Sequence, residues 1–210
     1  MVMQTIDNIV TYRIYGNKRG WVFTPSRFYD IGSQFAVRKT LERLAISGVI
    51  RRLAPGLYDY PKRHPVLGDL LPNYEKIGIA LAKENKIKLQ PSGAYAANLL
   101  GLSEQVPAKI VFLTDGSNRK VVIGKLEIIL KKTTPKNMAA AGRISGLVIQ
   151  ALRYLGKDSV DDDTIDRLKA RLSDDDKQQL LKDISCAPAW IGAIFRKMVT
   201  AKKRPVYVSS

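Results

Sequence analysis

Ile6, Ile9, Val10 and Arg13 follow a helical spacing and predict a first helix from about Thr5 to Tyr15. Gly16 and Gly20 interrupt that period, and Trp21-Val22-Phe23 reads as a very short extended run. Thr24-Pro25 is a helix start signal: a hydroxyl that can cap, then proline where its missing N–H costs nothing. The second helix, Ser26 to Ile31, turns Phe28 and Ile31 inward, and Gly32 ends it. Ser33 caps a third helix from Gln34 to about Ser47, with Val37, Leu41 and Leu44 on one apolar stripe. Val49 to Leu53 and Leu57 to Tyr60 are β-rich runs on either side of Pro55-Gly56, the pattern of a hairpin. Two short helices joined by a Gly-Ser turn and followed by a hairpin make a winged helix-turn-helix.

Further along, Pro61, Pro65 and Pro72 predict a stiff linker. Tyr74, Ile77 and Leu81 mark a helix over 73–85, and Lys86 to Leu89 alternates as a strand. A helix over 91–100 closes at Gly101. Strands follow over 109–114, 119–123 and 125–131, with Asp115-Gly116 as a hairpin signal between the first two. The last third is helical. Ile144, Leu147, Val148, Ala151, Leu152 and Leu155 keep one stripe, and Ile165, Leu168 and Leu172 follow Asp161-Asp162-Asp163. Ser173-Asp174-Asp175-Asp176 precedes Leu180, Leu181 and Ile184, and Trp190, Ile191, Ile194, Phe195 and Met198 give a final amphipathic helix that is either core or a partner contact. The fold class is therefore α+β: a winged helix-turn-helix over 1–62, a small α+β module over 63–138 and a helical region over 139–210.

Composition narrows the function. The chain has 210 residues, of which 45% are apolar, enough for a core and against wholesale disorder. One cysteine excludes an internal disulfide and predicts a reducing compartment. No run approaches the roughly 20 apolar residues of a membrane span, and no basic-then-apolar leader opens the sequence, so a cytoplasmic location is expected. The 35 basic side chains exceed the 19 acidic ones by 16. A surplus of that size favours a polyanionic partner, nucleic acid before membrane. It is spread unevenly. Residues 1–64 hold 11 basic and 4 acidic groups (+7), residues 65–138 hold 11 and 6 (+5), and residues 139–210 hold 13 and 9 (+4).

The most one-sided segment is the winged helix, so its third helix is read as the recognition element. A capped helix N-terminus can enter a major groove, and its free N–H groups favour phosphate. Arg38, Lys39 and Arg43 can neutralise phosphates or donate to guanine, Gln34 can read adenine, and Ser33 can contact either base. Arg51 and Arg52 at the wing base can reach the backbone. Phe35 is either partly buried or an apolar contact to a thymine methyl. The competing reading is an ordinary solvated helix face, and Glu42 within it opposes phosphate. Lys202-Lys203-Arg204 near the end is either a phosphate contact or solvated.

These residues also carry a family resemblance. Gly20-Trp21-Val22-Phe23-Thr24, then Val37-Arg38-Lys39-Thr40-Leu41-Glu42-Arg43-Leu44 and Gly56-Leu57-Tyr58-Asp59-Tyr60-Pro61, resemble the winged helix of AbiEi-type antitoxins. His64-Pro65-Val66-Leu67-Gly68-Asp69, Pro91-Ser92-Gly93-Ala94-Tyr95 and Ala187-Pro188-Ala189-Trp190-Ile191 are similar to the uncharacterised family grouped with them. The resemblance implies an antitoxin that represses its own operon in a type IV, abortive-infection toxin–antitoxin system. Its implied partners are double-stranded operator DNA and a nucleotidyltransferase-like toxin, with or without a stable complex. Ser33, Gln34, Arg38, Lys39, Arg43, Arg51 and Arg52 carry over as DNA contacts. Pro55 departs from the pattern, since a basic residue is common at that wing position.

Enzyme readings fare worse. His64 is the only histidine, lies in the linker and has no nucleophile at a recognisable spacing. No phosphate-binding GxxxxGK[ST] loop occurs, and Cys186 alone cannot build a zinc site, so no cofactor and no metal are expected. The Asp triplets stand where helix dipoles favour carboxylates. A metal-dependent nuclease built on Asp115 and Glu127 lacks its lysine, because residue 129 is Ile. That nuclease, and a plain transcription regulator without a toxin, remain the alternatives.

Overall fold

The computed structural model describes residues 5–105 and 107–199. They fold as two compact units. The first takes the residues up to Leu89 together with Arg119–Ile128, and the second takes Gln90–Asn118 with the residues from Ile129 onward. Among the described residues no helix is long and apolar enough to cross a membrane.

The first unit begins with helix α1 (Ile6–Gly16), whose cap is Thr5, accepting from the Asn8 amide. Strand β1 (Trp21–Phe23) leads through a 3-10 turn (Pro25–Phe28) to helix α2 (Gln34–Ile46). The expected second α-helix is thus a single tighter turn, with Pro25 at its start and Phe28 fully buried. Gly48 follows α2 at φ +71°, where a Cβ would be strained, and Val49 N–H closes back on the Leu44 carbonyl. Strands β2 (Arg51–Ala54) and β3 (Leu57–Tyr60) form the wing around Pro55-Gly56, with Gly56 also at φ +71°. The sheet order is β1-β3-β2, both pairs antiparallel, so β3 is central, with Phe23 and Arg52 flanking Tyr58 in register. This connectivity is that of a winged helix. Its core joins Val10, Ile14, Phe23, Phe28, Val37, Leu41, Ile50 and Tyr58.

The proline-rich segment after the wing is not a plain linker. Strands β4 (Arg63–His64) and β5 (Gly68–Asp69) pair as a small hairpin, and His64 Nδ1 accepts from the Val66 and Leu67 amides in its turn. Helix α3 (Tyr74–Asn85) then packs on β1. Lys86 ends α3 in the left-handed conformation at φ +52°, which delays the expected strand: β6 spans Leu89–Ser92.

In the second unit, helix α4 (Gly93–Leu99) packs closely on α6 (Ile144–Leu155), because Ala96, Ala97 and Ala151 let the two backbones approach. Strands β7 (Lys109–Thr114), β8 (Arg119–Ile123) and β9 (Leu126–Lys132) correct one sequence expectation. Asp115-Gly116 does not join a hairpin. In this unit β6 neighbours β7 and β7 neighbours β9; in the first unit β8 neighbours the opening residues of β9. The turn at Gly124-Lys125 makes the hairpin instead. Helices α5 (Pro135–Met138), α7 (Asp162–Arg171), α8 (Asp174–Lys182) and α9 (Ala189–Val199) complete the element order. Ile191, Phe195 and Met198 of α9 are buried core, and the partly buried Trp190 and Ile194 pack against it, so that stripe contributes to the core.

Candidate nucleic-acid interface

Ser33 sits at the entry to α2 with extended backbone, and its hydroxyl accepts from the Ala36 amide at 3.3 Å. That bond fixes where the helix begins, and with it which side chains point outward. Val37 and Leu41 are buried against the core, and Thr40 is buried facing α1. Phe35 and Lys39 therefore stand on the opposite side, Arg38 on its flank and Gln34 in the first turn, all four exposed. Phe35 is 73% exposed, a large apolar ring held in water at the helix N-terminus. Exposure of that degree rules out the partly buried reading.

The five basic candidates differ in how the fold ties them. Arg43 reaches back to Asp7 on α1, with contacts of 2.6 and 2.8 Å, and Asp7 also accepts from the Thr40 hydroxyl. Arg51 is held by Asp59 at 3.1 and 2.7 Å and by the Leu70 carbonyl at 2.8 Å. Asp59 is buried to 1% exposure, so Arg51 is its counter-charge. Lys39 is shared between Glu42, at 3.2 Å, and the Phe35 ring, 5.9 Å from its centroid. Arg38 and Arg52 are exposed and hold no ion pair among the described residues. Both charges act on the buried Tyr58, which stands opposite Arg52 in the β2–β3 register. Burial raises the Tyr58 pKa, and the Arg52 and Arg38 charges pull it down while Glu42 pushes it up. Tyr58 is the residue that sequence reasoning missed. Its signal was its place opposite Arg52 in a hairpin register that the Pro-Gly turn sets.

Below this point a groove of about 610 Å³ runs between the C-terminal half of α2 and the wing, lined by Glu42, Ile46, Arg52, Tyr58 and Asp69 among others. Its two carboxylates make it electrostatically mixed. The cations suited to phosphate are Arg38, on the first half of α2 near its free N–H groups, and Arg52, exposed on the wing side of this groove.

Residues 9–180 match the model of a family of unknown function, DUF6088. The chain belongs to the DUF6088 family. No curated protein matches it. Among solved structures, the crystal structure of RV2827C protein from Mycobacterium tuberculosis is similar at 14% identity, covering 93% of this chain and 76% of that one, with a TM-score of 0.46.

Other motifs of the DUF6088 chain have local explanations. Asp161 caps α7 by accepting from Thr164, Asp162 meets Lys197 and Asp163 pairs with Arg167. Ser173 and Asp176 form a reciprocal capping box at α8, and Asp174 pairs with Lys177. Glu127 accepts from Lys120 at 2.7 Å across the β8–β9 hairpin. Among the described residues no three His, Cys, Asp or Glu side chains gather closely enough to hold a metal ion. Lys202-Lys203-Arg204 lies outside the described residues.

The tethers of α1 predict an acid response. Hydrogen bonds from Thr40 and then Arg43 lower the Asp7 pKa, and Arg13, bidentate at 2.7 Å, lowers that of Asp30. The unfolded chain then binds more protons than the folded one below the ordinary aspartate value of 3.8, so stability falls as pH drops through the depressed folded values. Urea midpoints measured from about pH 5 to about pH 3 are expected to decline, and less steeply in D7N/D30N. Equal slopes in the two proteins would show that these tethers are not what acid breaks.

Proposed function

We propose that this chain is a DNA-binding antitoxin that represses transcription of its own operon, with α2 in the major groove and the wing against the adjacent backbone. The observation that carries the DNA half is the exposed set Gln34, Phe35, Arg38 and Arg52, grouped on a capped helix N-terminus and a wing, with no ion pair on either arginine among the described residues. A major groove about 12 Å wide admits one α-helix, and this helix offers it a bidentate donor, an amide and an apolar ring. Lys39 contributes charge from beside Phe35. Arg43 and Arg51 act by holding the helix and wing in place. The antitoxin half is supported by the resemblance of the winged helix and the segments after it to AbiEi-type antitoxins, and its toxin partner is a nucleotidyltransferase-like protein encoded alongside.

Two experiments test the halves separately. In a shift assay the chain is expected to retard the DNA upstream of its own gene, with affinity falling steeply between about 50 and about 200 mM salt. Co-expression with the neighbouring gene product is expected to restore growth; toxicity that persists would remove the antitoxin half and leave a plain regulator.

A further inference from the structure

A second cationic site lies on the first unit, away from the α2 face. A cleft of about 210 Å³ opens between β1 and α3, and its walls include Asn17, Trp21, Thr24, Arg27, Lys76 and Lys83. Among the described residues no carboxylate lines it. Arg27 comes from the 3-10 turn, while Lys76 and Lys83 are seven residues apart on α3 and so share a face. All three are exposed at the mouth. Lys76 spends one of its three N–H groups on the Gly20 carbonyl at 3.1 Å. The side chains of Arg27 and Lys83 hold no ion pair among the described residues. Asp30, which feels the Arg27 charge, is already gripped by both guanidinium nitrogens of Arg13.

Three cations and a tryptophan lining one cleft, with no carboxylate among its described lining residues, suit an oxyanion with an ester arm. We propose that this cleft binds a phosphate group, and that in the working protein it is a backbone phosphodiester flanking the DNA contacted by α2. The placement of Arg27 argues for that source. It stands on the helical turn directly before α2, the element that crosses the DNA backbone when a helix-turn-helix docks. The source of the phosphate rests on the DNA reading above; the site itself does not, since a free nucleotide would present the same group.

The test uses the full chain and inorganic pyrophosphate at constant ionic strength. Phosphorus NMR of pyrophosphate is expected to broaden saturably on the wild type. In W190F, where Trp21 is the remaining tryptophan, its emission is expected to shift over the same range. R27Q/K83Q, which spares the Lys76 prop on Gly20, is expected to weaken both responses at least about tenfold, and R38A/R52A is expected to leave them intact. With duplex DNA, R27Q/K83Q is expected to make the slope of log affinity against log salt shallower by about 1, with sequence preference unchanged. A salt-slope change without a pyrophosphate response supports the phosphodiester source. A pyrophosphate response lost in R27Q/K83Q, in a protein that binds no duplex, keeps the site with a free phosphate ligand while the DNA reading fails. A folded R27Q/K83Q that matches the wild type in both arms overturns the proposal.

Discussion

R38A/R52A is expected to bind operator DNA about 10- to 100-fold more weakly than the wild type at physiological salt, with the loss concentrated on the specific site. Arg38 is one turn into α2, exposed on the flank of the Val37 and Leu41 stripe, and Arg52 stands on β2 opposite Tyr58. A good bidentate contact from arginine to a base or phosphate discriminates by about 1–3 kcal/mol, so two of them span the stated range even with partial coupling. Because both side chains are exposed, the unfolding free energy is expected to stay within about 0.5 kcal/mol of the wild type. Unchanged operator affinity in the folded double variant would remove α2 and the wing from the interface. R43A is the useful contrast: its pair with Asp7 is exposed, so it tests whether holding α2 against α1 matters for binding without adding a missing contact.

R51M is expected to cost about 3 kcal/mol of stability, the largest effect of any single charged residue considered. Asp59 is 1% exposed, and Arg51 satisfies it through two contacts while also tying down the Leu70 carbonyl. Removing the guanidinium leaves a carboxylate buried without its counter-charge. The double variant R51M/D59L is expected to recover most of the loss, since an apolar pair of similar volume leaves no stranded charge. The pH response separates this from lost packing. Burial already raises the Asp59 pKa, with the Arg51 hydrogen bond opposing it. In R51M the folded state takes up a proton before the unfolded state does, so stability rises as pH falls from above the folded value towards 3.8. That sign is opposite to the wild-type response set by Asp7 and Asp30. If R51M loses less than about 1 kcal/mol and shows no acid recovery, Arg51 is not the partner that stabilises Asp59.

Much of the local architecture was legible from single residues. Ser33 starts α2, Gly48 ends it, Pro55-Gly56 turns the wing, and the Val37, Leu41 and Leu44 stripe identifies the inner face. Each of these acts within one or two turns of chain, through a cap, a positive φ or a helical period, so the amino-acid order alone carries it. Composition likewise placed the largest share of the charge on residues 1–64. What the sequence determined by itself was the set of elements and the list of exposed cations that could meet a polyanion.

Which of those cations are ion-paired within the fold was decided only in three dimensions. Arg38 and Arg43 look equivalent as residues, yet Arg43 is claimed by Asp7, 36 positions away. Arg51 and Arg52 are adjacent, yet strand alternation sends Arg51 to the buried Asp59 and leaves Arg52 in water. The Asp115-Gly116 turn failed as a hairpin because β9, later in the chain, took the place beside β7. The cationic cleft is assembled from the end of α1, β1, the 3-10 turn and α3, so no window of sequence displays it. In each case the deciding energy is a pairing or burial between distant segments, and that exists only once the backbone has brought them into register.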